Sequence, residues 1–211
     1  MIVTDELLVL IADKCIFTKI NLTMKSLFTA MLVLLSFGTF AQTTPDSSTT
    51  VLNAAYAKAQ TEHKSVLLMF HASWCGWCKK MEASINDPAC KKFFDDNYVI
   101  VYLDILERAG KENLENPGGI NVMKSFNGDP NGGIPFWVIM DASGKPYGNS
   151  YKPPVGATIG TAKDNVGCPA EADEVAYFIG LLKSSSKLTD SELAVVKTRF
   201  EKNKPVSASA N

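Results

Sequence analysis

Val66-Leu67-Leu68-Met69-Phe70-His71-Ala72-Ser73-Trp74-Cys75-Gly76-Trp77-Cys78-Lys79-Lys80-Met81-Glu82-Ala83 joins a short apolar run to a helix-favouring segment through two cysteines three positions apart. Val66 to Phe70 has the length and composition of a buried strand. Lys79 to Ala83 favours helix. The cysteine pair therefore sits at a strand-to-helix junction, with Cys75 at the helix N-terminus. Residues i and i+3 of a helix are neighbours, and a disulfide needs Cα atoms within about 7 Å, so Cys75 and Cys78 can close a small ring. Free backbone N–H groups and the helix dipole favour a thiolate at Cys75. A thiolate facing a second thiol is equipped for thiol–disulfide exchange.

The surrounding chain narrows the options. Its 211 residues suffice for one domain with a real core. A net charge of −1 gives no argument for a nucleic acid or an anionic membrane as partner. Five cysteines make neither a disulfide scaffold nor a zinc cluster, and the two histidines, His63 and His71, leave little material for a metal site. No metal and no cofactor is expected.

Met24-Lys25 is followed by an apolar segment, Ser26 to Phe40, with Leu32-Val33-Leu34-Leu35 at its centre. Thr39 and Ala41 place small residues at the −3 and −1 positions of a cut before Gln42, which is the pattern of a signal peptide. The run is short for a transmembrane helix; a retained membrane anchor is the alternative. Translation from Met24 is expected, and a mature chain from Gln42, periplasmic or secreted, where disulfides persist. Residues 1–41 thus read as an upstream extension plus signal peptide, 42–50 as a polar linker, 51–203 as the domain and 204–211 as a disordered tail.

Within the domain, Leu52, Ala55, Tyr56 and Ala59 recur at helical spacing. Ser65 to His71 is the first strand. Asp87-Pro88 reads as a helix start running through Phe93 and Phe94. Tyr98 to Asp104 is a second strand, 105–117 a loop with one helical turn, and Gly119 to Phe126 a short helix. Ile134 to Met140 is a third strand, and a turn at Asp141 to Gly144 leads to a fourth near Lys145 to Ser150. A loop over 152–169 precedes an amphipathic helix, Glu171 to Lys183, and a last helix, Thr189 to Lys202, with Thr189 as cap and Glu192 three residues on. This order predicts an α/β sandwich with helices on both faces of one sheet.

A second feature is Gly133-Ile134-Pro135-Phe136, since proline is tolerated where a strand begins. Together with Phe70-x-Ala72-x-Trp74-Cys75-Gly76-Trp77-Cys78-Lys79 and Asp141-x-x-Gly144-Lys145, it makes residues 51–184 resemble the thioredoxin family. The resemblance implies a thioredoxin-like three-layer sandwich with a central mixed sheet of four to five strands and an extra C-terminal helix. It implies an exposed nucleophile, Cys75, a resolving thiol, Cys78, and a cis-proline loop at Ile134-Pro135 that holds a partner polypeptide; Trp74, which fits the family pattern, and Trp77, which is not fixed by it, offer a docking rim. Client proteins with disulfides, an electron-donating thiol protein, either membrane-bound or not, and a monomeric chain are expected. Two departures stand out. Met69 occupies the place of the family's buried aspartate, which leaves water, Lys79 or Glu82 to take the resolving thiol's proton. Gly76-Trp77 replaces Gly-Pro between the cysteines, as in exported proteins of the interchange type.

His71 reads either as an imidazolium that favours the Cys75 thiolate or as a partly buried strand-end residue. Cys90 and Cys168 can pair, lie free and buried, or react separately. Two rival functions use the same residues. One is a soft-metal module holding Cu(I) on Cys75 and Cys78, with or without His71 or Met69; the other is a redox-inert interaction domain indifferent to Cys75→Ser.

Overall fold

The fold is described for residues 44–153 and 164–204 of a computed structural model. The signal-peptide segment, the tail beyond Lys204 and part of the 152–169 loop lie outside the described residues.

Strand β1, Ser65–His71, occupies the middle of the sheet. It pairs in parallel with β2, Tyr98–Asp104, and antiparallel with β3, Phe136–Met140. Strand β4, Pro146–Asn149, pairs antiparallel with β3, so the order is β2-β1-β3-β4. A parallel pair cannot be joined by a tight turn. Helices α2, Gly76–Ile85, and α3, Lys91–Asn97, supply the crossover from β1 to β2. Helix α1, Ser48–Glu62, precedes β1; α4, Gly119–Ser125, lies between β2 and β3; α5, Ala172–Ser185, and α6, Asp190–Glu201, close the chain.

Strand side chains alternate between faces, and both faces are covered. Leu67 and Met69 of β1, with Trp137 and Ile139 of β3, pack against Met81, Ile85, Phe94, Phe178, Val196 and Phe200. Val66, Leu68, Phe70, Val138 and Met140 face Leu52, Ala55, Ala59 and Met123. The result is the expected three-layer α/β sandwich with a mixed four-stranded sheet and further helices after it. Burial on both faces explains why β1 and β3 read as unbroken apolar runs rather than as alternating ones.

Three boundaries differ from the sequence reading. Helix α1 starts at Ser48, inside the supposed 42–50 linker: Ser47 Oγ accepts the Thr50 N–H at 3.2 Å as its cap, and Ser48 Oγ donates to the Pro117 carbonyl at 3.0 Å. Those polar residues cap and dock rather than link. Asp87 does not cap a helix. Its Oδ1 accepts the Ala89 N–H in a local turn, its Oδ2 is taken by Arg199 at 2.6 Å, and α3 begins only at Lys91. Strand β3 begins at Phe136 rather than Ile134, because Pro135 has no N–H to give the ladder. The capping box of α6 is present as read, Thr189 and Glu192 each accepting the other's backbone N–H.

Candidate active site around Cys75 and Cys78

Strand β1 ends at His71, and the Cys75 N–H closes the following turn on the Ala72 carbonyl at 3.0 Å. Cys75 keeps extended backbone angles, φ −78° and ψ 104°, and is the N-cap of α2. Its Sγ accepts the Cys78 N–H at 3.1 Å, so sulfur stands where a Ser or Asp oxygen ordinarily caps a helix. Cys75 and Cys78 form a disulfide, with S–S 2.04 Å and Cα atoms 5.3 Å apart. The Cys75 sulfur lies 3.5 Å from the Ile134 carbonyl oxygen, and the Ile134–Pro135 peptide bond is cis.

In this disulfide form neither sulfur is prominently exposed: Cys75 is 3% and Cys78 2% accessible. The expectation of an exposed first cysteine is corrected here. Ala72 and Ile134 pack over both residues. What separates the two is the capping position of Cys75 and its contact with the proline loop.

The indoles on either side of Cys75 are exposed, Trp74 at 42% and Trp77 at 44%, and they are held differently. Trp74 Nε1–H donates to the Leu106 carbonyl at 2.7 Å, and the Arg108 guanidinium lies 5.4 Å from its ring centre. Trp77 carries the Lys80 ammonium 4.5 Å over its ring. A cleft of about 380 Å³ is lined by Trp77, Gly133, Ile134, Pro135, Val166 and Cys168, among others. Three of the four proposed docking residues thus converge on one cleft. Trp74 is not part of its lining; the β2–α4 connection holds it instead.

His71 faces β2. Its Nε2 lies 3.1 Å from Asp104 Oδ1, and its ring meets that of Tyr102 at a 55° tilt, with centres 5.1 Å apart. Burial raises the Asp104 carboxyl above the usual carboxylate range; the His71 charge offsets part of this and Glu107 adds to it. Burial also acts on Glu107. The hydrogen bonds it accepts from the Ser73 N–H and hydroxyl, at 2.5 and 2.8 Å, outweigh that effect and hold it low. Met69 is wholly buried in the core on the α2 side of the sheet, so no carboxylate stands at that position of β1. Lys79 and Glu82 are exposed on α2 while Cys78 is buried.

Cys90 and Cys168 are buried and, among the described residues, unpaired, which settles their three readings on free, buried thiols. Burial pushes the Cys90 thiol up and the Cys168 thiol up to about 12. Sequence reading missed Asn165, whose Nδ2 donates to the carbonyls of Gly133 at 2.9 Å and Pro135 at 3.1 Å and braces the proline loop. It also missed Arg108 and Lys80 as partners of the two indoles. Asn165 carried no signal, being one polar residue in a loop far along the chain from the residues it holds.

Residues 48–142, which include both cysteines and the Ile134–Pro135 bond, match the family described as thioredoxin-like. That segment is thioredoxin-like. A stretch of 28 residues is 61% identical to protein disulfide-isomerase A5 of Mus musculus, covering 13% of this chain and 5% of that protein. Among solved structures, the disulphide isomerase of Xylella fastidiosa Temecula1 aligns with a TM-score of 0.40 and 21% identity over 54% of this chain and 76% of that one. A DsbH oxidoreductase aligns with a TM-score of 0.38 and 21% identity, over 69% and 85% of the two chains. The chain thus spans a small part of the length of the curated relative it matches and most of the length of the two solved structures.

Proposed function

We propose that this chain is an exported thiol–disulfide oxidoreductase that reduces or exchanges disulfides in other proteins through Cys75 and Cys78. The observation that carries the reading is the capping geometry at Cys75, whose sulfur accepts the Cys78 N–H at the start of α2. A thiolate there gains a charge-assisted hydrogen bond and the favourable end of the helix dipole. In the reduced form the Cys75 thiolate attacks a client disulfide. A Cys75–client mixed disulfide forms and one client thiolate leaves. The Cys78 thiolate then attacks the Cys75 sulfur, the second client thiolate leaves, and the 75–78 disulfide closes. Two electrons pass from the pair to the client, and a dithiol protein returns them. With Met69 in place of a carboxylate, and Lys79 and Glu82 exposed on α2 away from the buried Cys78, the Cys78 proton goes to water.

Trp77, Ile134 and Pro135 form the docking cleft in this reading, with Trp74 as a separate rim contact. Export rests on the Met24 to Ala41 pattern, and mass spectrometry of the mature protein is expected to find Gln42 first. The soft-metal alternative gains no third ligand from Met69, which is buried in the core, or from His71, which is engaged by Asp104. The deciding experiment is insulin reduction with dithiothreitol as donor, alongside a titration of the 75–78 pair in glutathione buffer. Turnover that Cys75→Ser abolishes is expected. Stoichiometric Cu(I) retention without turnover would overturn the reading in favour of the metal module, and an inert pair in favour of an interaction domain.

A further inference from the structure

The end of α6 reaches back to the redox helix through one residue. Asn203 is 2% exposed, and its side chain uses every hydrogen-bonding position an amide has. Its Nδ2 donates to the Pro169 carbonyl at 3.1 Å and approaches the Cys168 sulfur at 3.4 Å. Its Oδ1 accepts from the Ser84 hydroxyl at 3.0 Å and from Arg199 Nη1 at 3.1 Å. Its backbone carbonyl accepts the Lys80 ammonium at 2.9 Å.

Among these partners Cys168 lines the cleft, while Lys80 and Ser84 lie on the helix that brings Trp77 to it. Ser84 and Lys80 lie on α2, and Lys80 is the cation seated 4.5 Å over the Trp77 ring. Cys168 lines the facing wall of the cleft, with Val166 and Gly167 beside it and Pro169 next in sequence. Trp77 lines the near wall. One buried amide therefore ties the wall at 166–169 to the helix that carries Cys78, and its carbonyl holds the cation that seats Trp77. Arg199 extends the tie to Asp87 at 2.6 Å, in the turn after α2.

We infer that Asn203 is a positioning residue for the client, setting the spacing between Trp77 and the 166–169 wall of the cleft beside Cys75. The inference rests on the proposed oxidoreductase function and extends it to a residue that touches neither the Cys75 and Cys78 sulfurs nor the proline loop. A protein client that fills the cleft depends on that spacing. A small disulfide that needs only the Cys75 sulfur does not.

The test compares insulin with glutathione disulfide as substrates of the full-length chain, in Asn203→Ala, Asn203→Asp and Lys80→Met. Aspartate keeps two acceptor oxygens for Ser84 and Arg199 but cannot donate to Pro169, so it releases the 166–169 wall while preserving the tie to α2. Lys80→Met releases Trp77 and leaves the wall bonded. Asn203→Ala is expected to raise KM for insulin about tenfold with kcat within twofold, and each of the other two variants about threefold. The rate with glutathione disulfide and the reduction potential of the 75–78 pair are expected to stay within twofold and within error of wild type. A folded Asn203→Asp chain with wild-type KM for insulin would overturn the inference. Equal losses on both substrates would also overturn it, since they mark general loosening of the fold. A wild-type chain inert toward both substrates would remove the oxidoreductase reading itself, and this role with it.

Discussion

Trp137→Phe is the most exacting test of the packing that supports the site. Trp137 is fully buried on β3, opposite Met69 of β1, and its ring meets Phe178 edge-on at 5.2 Å. Its Nε1–H donates to the Gly167 carbonyl at 2.7 Å, holding the loop that walls the cleft. Phenylalanine keeps the six-membered ring and most of the contact with Phe178. It loses about three buried heavy atoms, worth about 2 kcal/mol at roughly 0.8 kcal/mol per buried carbon. It also leaves the Gly167 carbonyl without its donor, at about 1–2 kcal/mol for an unpaired buried acceptor. The expected loss is about 3–4 kcal/mol against a total stability of order 5–15 kcal/mol for a domain. Urea unfolding followed by far-UV circular dichroism measures it, with the midpoint falling and the slope unchanged. The reduced chain gives the cleanest transition, since no disulfide then biases the unfolded state. A loss below about 1 kcal/mol would refute the reasoning, because it would mean that water or another donor reaches the Gly167 carbonyl without cost.

Cys78→Ser is expected to accumulate mixed disulfides between Cys75 and clients on non-reducing gels, and Cys75→Ser none; equal trapping by both would assign the attack to another cysteine. Iodoacetamide is expected to modify Cys75 of the reduced native chain well before Cys78, and Cys90 and Cys168 only on unfolding, as peptide mass mapping would reveal. Asp104→Asn is expected to flatten the pH dependence of stability on the acid side. Burial raises the folded Asp104 carboxyl above its unfolded value, so its stabilising contribution is complete below about pH 3.9 and is lost as pH rises through the folded value. Thermal unfolding between pH 3 and 7 checks this, and an unchanged profile in the variant would show that another group carries the slope.

Much of the architecture is legible in the chain because it rests on local pattern. Val66 to Phe70 and Val99 to Leu103 are apolar runs of strand length, and the core of this sheet is covered on both faces, so such runs are what buried strands require. The α6 capping box lies within four consecutive residues and can be read without knowing the fold. Asp87 misleads because its preferred partner, Arg199, is supplied by a helix far along the chain; only the tertiary structure decides whether an aspartate caps or pairs. The same holds at the site. Cys75 and Cys78 announce themselves by spacing, and Ile134-Pro135 by proline at a strand start. Asn165 and Asn203 stay silent, since an amide that braces a loop or joins two helices carries no periodicity. The burial of Cys75 was hidden as well, because Ile134, which packs over it, arrives from a distant segment.

The two sequestered thiols set a timing constraint on the folding of this chain. Four cysteines from Cys75 to Cys168 can be joined in pairs in three ways, and only one of these contains the 75–78 ring. In the folded protein the choice does not arise, since Cys90 is enclosed in the hydrophobic core and Cys168, at the wall of the cleft, is only 4% exposed. In a newly made, unfolded chain every sulfur is reachable, and an oxidant can join Cys90 or Cys168 to the redox pair. Such a cross-link would hold a core residue out of place, so the native fold could not form until a thiol released it. Collapse of the layer formed by Phe94, Phe178 and Phe200 must therefore outpace oxidation at those two positions. The aromatic layer is then a barrier to mispairing as well as a source of stability, and a catalyst of disulfide exchange matures correctly only if two of its own thiols are withdrawn from the reaction first.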